Sequence, residues 1–165
     1  MIRSTTFAAM LLLLFSCNNS ASTDKNSANE TTAQPQQWFA TDSLLVWDCN
    51  ADDRTRKKIF SPKDSIYVAQ AIINGINKTY GEVSLVLDHQ SNDTLYIAIP
   101  KADWLVNKAG NSGAEQYLSF ASLNLLETKG VNYVTYLFKG GAHAEPGTWT
   151  RTQFNNWATD STSAQ

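Results

Sequence analysis

Apolar and polar positions along this chain fall into a short apolar run near the start, a long polar stretch and then six elements. Leu44-Leu45-Val46-Trp47, within Asp42–Cys49, is a short apolar run of the kind a buried strand leaves. A charged segment, Asn50 to Lys58, reads as a loop. Ile66, Ala69, Ile73, Ile76 and Tyr80 then recur at intervals of three and four, which places them on one face of a helix. Ser61, Pro62 and Asp64 have the spacing of a capped helix start, and Gly81 is placed to end the helix in a left-handed conformation. Val83, Leu85 and Leu87 alternate with Ser84, Val86 and Asp88. Leu95, Ile97 and Ile99 alternate with Tyr96 and Ala98. The five residues His89 to Asp93 between them are turn-formers, so the pair reads as an antiparallel hairpin ended by Pro100.

Lys101 to Gly110 reads as a helical turn and a loop. Ser112 and Glu115 repeat the capping spacing, and Ala114, Tyr117, Leu118, Ala121, Leu125 and Leu126 form the apolar stripe of a second helix closed by Gly130. Val131 to Phe138 is β-branched and aromatic, the composition of a central strand, and Gly140-Gly141 ends it. The order strand, helix, strand, strand, helix, strand is that of a split βαβ unit. The expected fold is therefore α+β: a four-stranded, antiparallel-containing sheet with two helices on one face. The hairpin's alternation leaves the other face partly wet.

The chain begins differently. Arg3 supplies a positive charge, and Phe7 to Phe15 is an uncharged apolar run too short to span a bilayer permanently. It ends in Leu14-Phe15-Ser16-Cys17, which resembles a lipobox, with Phe15 bulkier than the residue usual there. The resemblance implies diacylglycerol transfer to the Cys17 thiol (the palmitate-bearing anchor), cleavage after Ser16 and acylation of the new amino terminus. Two or three acyl chains anchor a protein stably where one does so only marginally. Asn18 to Gln37 holds Asn, Ser, Thr, Ala and Gln with a few charges and no large apolar side chain, so it reads as a flexible tether. Residues 1–16 are thus expected to be a lipoprotein signal peptide, 17–37 the lipidated cysteine and tether, 38–157 one domain and 158–165 a disordered tail. Asn18-Asn19, in place of an Asp after the cysteine, points to the outer membrane.

The chain has 165 residues with a formal net charge of −2 and 17% charged residues. This balance gives no basic stripe for nucleic acid. The cluster Arg54, Arg56, Lys57 and Lys58 sits beside Asp52 and Asp53 and reads as a solvated loop of mixed charge. With Cys17 lipidated, Cys49 has no intramolecular partner. Lying close to Trp47, it reads as a small buried hydrophobe rather than a nucleophile.

From Ser65 to Lys139, and more weakly from Leu44, three stretches carry a resemblance. They are Val68-Ala69-Gln70-Ala71-Ile72-Ile73-Asn74-Gly75, the hairpin end Asp93-Thr94-Leu95-Tyr96-Ile97-Ala98-Ile99-Pro100, and Leu123-Asn124-Leu125-Leu126-Glu127-Thr128-Lys129-Gly130-Val131-Asn132-Tyr133-Val134. They resemble the GerMN domain family, described in spore-germination proteins and found in bacterial lipoproteins. The resemblance implies an extracytoplasmic binding or assembly module and carries over no catalytic residue.

Candidate chemistry is sparse. His143 and Glu145 lie two residues apart beyond a strand end, where they could share a proton or a metal, yet three or four ligands make a metal site and no His/Cys cluster supplies them. No catalytic constellation, metal site or cofactor is expected. Trp104 and Trp149 lie in predicted loops, and exposed Trp beside polar groups suits glycan or peptide contact. Trp104, His143, Glu145, Trp149 and Arg151 are therefore the candidate binding residues, with Trp149 and Arg151 the favoured pair. Asp42-Ser43-Leu44, Asp64-Ser65-Ile66 and Asp93-Thr94-Leu95 resemble O-glycosylation acceptors of one phylum rich in surface lipoproteins. The expected function is a membrane-anchored, non-enzymatic envelope module that binds a protein, peptide or glycan. The alternatives are a small envelope hydrolase using His143 with an acidic partner, and a ring subunit that self-associates through a sheet edge.

Overall fold

A computed structural model describes residues 44–60 and 68–160. The expected signal peptide, Cys17, the tether, Trp38, the helix start at Ser61-Pro62-Asp64 and the last residues, 161–165, lie outside the described residues. The elements are β1 (Trp47–Asn50), β2 (Thr55–Lys58), α1 (Ala69–Thr79), β3 (Val86–Ser91), β4 (Thr94–Ala98), a π-helical turn (Trp104–Lys108), α2 (Gly110–Leu125), β5 (Tyr133–Leu137), β6 (Thr148–Thr150), a 3-10 turn (Arg151–Phe154) and β7 (Ala158–Asp160).

The fold is α+β, with a four-stranded mixed sheet in the order β3-β4-β5-β6. Leu95 pairs with Val134 and Ile97 with Tyr136 in the parallel β4–β5 ladder. All four are buried, because residues two apart on a strand share a face. The other face carries Tyr96, Thr135, Tyr133 and Leu137 and is partly wet, as the alternation predicts. A bulge between Leu87 and His89 shifts the β3 register, so His89 pairs with Tyr96. The two rings stack with centroids 4.2 Å apart, and Asp88 Oδ2 lies 2.7 Å from His89 Nδ1. His89 is thus a strand residue rather than the turn residue expected. The turn itself is tighter, with Asn92 at φ 53°.

The first predicted strand does not join this sheet. The sheet's fourth strand is instead β6, at the edge beside β5, while β4 and β5 pair directly with no strand between them and β1 heads a three-stranded sheet in the order β1-β2-β7. The reason lies in α2. Residues Tyr117 to Leu126 are buried all round, not along a single stripe. Ser122 Oγ meets Tyr136 Oη of β5 at 3.0 Å, while Asn124 bonds the chain at β1. Two residues apart on a helix is about 200°, so these contacts lie on opposite sides of α2. The helix needs a second cover, and β1 provides it.

Two further expectations are corrected by the small sheet. The segment Asn50 to Lys58 is a hairpin, not a charged loop. The side chains of β2 stay useful at its surface because Arg56 and Lys58 lie over the Trp47 ring, 5.3 and 5.5 Å from its centroid. Residues 158–160, expected in a disordered tail, form β7 parallel to β2, with Arg56↔Thr159 in register and Arg56 Nε donating to Thr159 Oγ1 at 3.2 Å.

Glycines punctuate the fold differently from expectation as well. Gly130 adopts φ +77° beyond the end of α2, as a closing glycine should. Gly110 has φ +70° and starts α2 directly after the π-helical turn, so the predicted Ser112–Glu115 cap is not used. Gly81 is not left-handed; α1 is capped by Tyr80 at φ −119°, whose N–H reaches Ile76 O.

Side-chain amides complete the backbone where ladders stop. Asn77 accepts from Leu85 N–H at 2.7 Å and donates to Leu85 O at 2.9 Å, tying α1 to the approach to β3. Asn124 Oδ1 accepts from Val46 N–H and Trp47 N–H at 2.7 and 2.9 Å. Its Nδ2 donates to Trp47 O and Phe120 O at 3.0 and 2.9 Å. Gln116, two helical turns earlier, accepts from Ala51 N–H at 2.7 Å and donates to Cys49 O at 2.9 Å. Together they pair the outer side of β1 as a neighbouring strand would.

Candidate functional site

The candidate residues do not converge. Trp104 lies in the π-helical turn and is partly buried against the core. His143 is held at both ends: its N–H donates to Val106 O at 3.0 Å, and ring atom Nδ1 lies 2.9 Å from Asn111 Oδ1. Glu145 is exposed and lies over Gly140, where a Cβ would overlap its carboxylate. Arg151 donates from Nη1 to Val131 O at 2.7 Å and from Nη2 to Leu126 O. Leu126 follows the last residue of α2 and Val131 precedes β5. Arg151 is therefore a clamp on the α2–β5 connection, where a cation meets the negative end of a helix, and not half of a binding pair with Trp149.

Cys49 is half-buried rather than buried, and packs against the edge of the core. Its thiol is pushed up to about 12, chiefly by burial and then by the charge of Asp48, against a weak contact from Gln116. A nucleophilic cysteine needs the opposite shift. Native protein at pH 8 is expected to alkylate at Cys49 with iodoacetamide on the order of 10²–10³-fold more slowly than unfolded protein. Peptide mapping over a time course checks this, and similar rates in the two states would mean an open thiol. Burial also raises the phenols of Tyr80, Tyr117 and Tyr136, in each case as the largest cause. The fold therefore prefers these groups protonated. Their contribution is intact below the ordinary thiol value of 9.0 and phenol value of 10.0 and is lost as pH climbs past them. Melting temperature is expected to fall progressively above about pH 9, and a flat profile to pH 11 would contradict the assignment.

Trp149 is the candidate that leads to a site. It is partly buried and stacks on Phe154, with centroids 5.9 Å apart and planes at 22°. Trp157 meets the same Phe154 edge-on at 5.1 Å and 79°. Phe154 is fully buried, so it fixes both indoles. Local sequence explains the posture. Thr150-Arg151-Thr152-Gln153 forms a capping box, with Gln153 Oε1 accepting from Thr150 N–H at 2.6 Å, and the 3-10 turn delivers Phe154 inward. Around these rings is a cleft of about 260 Å³. Gln153 and Asn156 line it from the turn, Glu115 and Ser119 from α2, and Arg54 from the β1–β2 turn.

Two of these residues are unusual. Arg54 has φ 51°, in the left-handed region, and its carbonyl accepts from Ala158 N–H at 2.9 Å, so β7 locks it there. Ser119 is 1% exposed, and its Oγ has no hydrogen-bond partner. Tyr117 and Thr128 hydroxyls are also unpartnered, but it is Ser119 that lines the cleft. Arg54 and Glu115 make no ion pair with each other, since the ion pairs among the described residues are His89–Asp88 and Lys108–Asp103. No group of three metal-ligating side chains occurs among the described residues, and none of their helices is long and apolar enough to cross a membrane.

Comparison with known proteins adds nothing to this geometry: no family model, curated protein or solved structure matches the chain.

Sequence reasoning missed Ser119, Glu115, Gln153, Asn156 and Arg54 as a group. One signal was available. Thr150 and Gln153 have the capping-box spacing three residues apart, which marks an ordered turn between Trp149 and Trp157 where a polar tail was about to begin.

Proposed function

We propose that this chain is a lipid-anchored protein of the cell envelope, directed to the outer membrane, whose GerMN-like domain is a non-enzymatic binding module. The run Leu14-Phe15-Ser16-Cys17 and the polar residues 18–37 support the anchor and the tether. The observation that carries the binding role is the cleft beside Trp149, with a buried and unpartnered Ser119 hydroxyl on its wall. A buried hydroxyl costs about 1–3 kcal/mol when it bonds to nothing, and a ligand that displaces the side chains closing this atom off from solvent would supply the missing partner. The hydrolase alternative draws less support. The acidic partner it calls for is not at His143 Nδ1, which bonds the Asn111 amide at 2.9 Å.

The anchor is tested by metabolic labelling with palmitate in cells producing the wild type and Cys17→Ala. Wild type is expected to carry label, Cys17→Ala to carry none, and precursor to accumulate when the lipoprotein signal peptidase is inhibited with globomycin. Unlabelled wild type would remove the tethered reading.

A further inference from the structure

We propose that the cleft beside Trp149 and Trp157 is a saccharide site that takes one ring of a neutral glycan. This rests on the reading of the domain as a binding module and names the ligand class. A pyranose ring has apolar C–H faces and a rim of hydroxyls. Each hydroxyl both donates and accepts, so a saccharide site needs aromatic surface next to a ring of mixed donors and acceptors. The cleft offers both.

Trp149 and Trp157 contribute an apolar strip to a mainly polar lining, and buried Phe154 holds them in place before any ligand arrives. Preorganised side chains lose little entropy on binding. The polar rim is mixed in the required way. Gln153 has its Oε1 engaged by Thr150 N–H, which leaves its NH₂ to donate. Asn156 donates and accepts, Glu115 accepts and Arg54 donates. Ser119 Oγ, buried and unpartnered, both donates and accepts, matching a sugar hydroxyl.

Charge narrows the class further. One guanidinium and one carboxylate line the cleft, so it favours neither anion nor cation, and a phosphate or a uronate would meet Glu115. Size narrows it again. At about 260 Å³ the cleft is smaller than the ~300 Å³ at which pockets for drug-sized ligands begin, which suits a single ring with its neighbours outside. An extended peptide is captured instead along a sheet edge or by a row of apolar pockets. Here the lining is made of side chains from α2, the β1–β2 turn, β6 and the 3-10 turn with the residues after it, and it is a single polar-rimmed hollow rather than a row of apolar pockets.

The test uses the full-length chain in a zwitterionic detergent without sugar, titrated with chitotriose, maltotriose, cellotriose and mannotriose while tryptophan emission is followed. Trigalacturonate and triglycine serve as charged and peptide probes. At least one neutral trisaccharide is expected to bind with Kd at or below about 1 mM and to shift the emission. Ser119→Ala removes a hydroxyl that bonds to nothing in the free protein, so it is expected to leave the melting temperature unchanged or raised. It is expected to weaken the same sugar by about 5- to 10-fold, the loss of one hydrogen bond. Asn156→Ala, at an exposed position, is expected to weaken it similarly without unfolding. No binding of any neutral trisaccharide up to about 10 mM would overturn the proposal, as would binding that Ser119→Ala and Asn156→Ala leave untouched. Binding of triglycine alone would overturn the sugar class while leaving a binding module. Sugar binding by a chain that takes no palmitate would leave the cleft standing and remove the anchor.

Discussion

Asn124→Leu is expected to destabilise the domain by about 3–5 kcal/mol, measured by urea unfolding with tryptophan fluorescence. Leu keeps the same branched heavy-atom skeleton but its methyls are bulkier than the amide's O and NH₂, so some overpacking adds to the loss of hydrogen bonds at this fully buried position. Asn124 is fully buried and uses all of its capacity: two N–H groups donate to Oδ1, and both Nδ2 protons go to carbonyls. With Leu in place, Val46 N–H has no acceptor and stays buried, and Trp47 loses its partner on both N–H and C=O. Each buried unsatisfied group costs about 1–3 kcal/mol, which against a total stability of ~5–15 kcal/mol is a large share. The same reasoning ranks Gln116→Leu lower, near 1–2 kcal/mol, because Gln116 is partly exposed and water can replace it at Cys49 O and Ala51 N–H. A loss below about 1 kcal/mol for Asn124→Leu would mean that β1 finds other partners and is not pinned by this side chain.

Asn124 also marks the limit of what was legible in the sequence. The apolar pattern of α2 names Ala114, Tyr117, Leu118, Ala121, Leu125 and Leu126, and all six are buried. Periodicity also yields α1, β4 and β5, because each buries one regular face against the same core, and it finds β3 through buried Val83 and Leu85, which precede a strand that is itself exposed apart from half-buried Leu87. It fails where no regular face exists. β2 is Thr55-Arg56-Lys57-Lys58, charged throughout, and it is a strand because Trp47 and β7 receive it, not because of any alternation. β6 and β7 are three residues each, shorter than any pattern can mark. A polar residue between leucines, Leu123-Asn124-Leu125, is the one visible sign that α2 has a second covered side, since Asn is a poor helix former unless its amide has work elsewhere. The candidate site was half legible. Trp149 was singled out for its aromatic character, but its supposed companion Arg151 spends its donors on Leu126 O and Val131 O. Ser119 and Glu115 were hidden by reading α2 as an apolar stripe behind a cap.

Gly75→Val is expected to cost about 3 kcal/mol or more, and the route to that figure separates two opposed effects. Gly in the middle of a helix is unfavourable by ~1 kcal/mol relative to Ala, so on propensity alone replacing Gly75 in α1 should help. Packing opposes this. A Cβ at Gly75 would sit 2.8 Å from Leu44 O, 3.1 Å from Leu44 N and 3.1 Å from Leu45 Cδ2. Two of these three neighbours are backbone, which cannot swing away as a flexible side chain can. The chain crosses α1 this closely because Leu44 N–H bonds Ala71 O at 3.2 Å, one turn before Gly75. Any side chain there pushes Leu44 outward, breaks that bond and drags on β1, which Asn124 holds from the other direction. Overpacking of this kind costs about 1–3 kcal/mol, so Gly75→Ala should lose up to roughly 2 kcal/mol net of its helix gain, and the branched Val more. Gly81→Ala is the matched control: its added Cβ meets nothing within 4 Å and its φ is not left-handed, so stability should stay level or rise slightly. If Gly75→Ala instead stabilised the protein as much as Gly81→Ala, the crossing of Leu44 over α1 would not be close in solution.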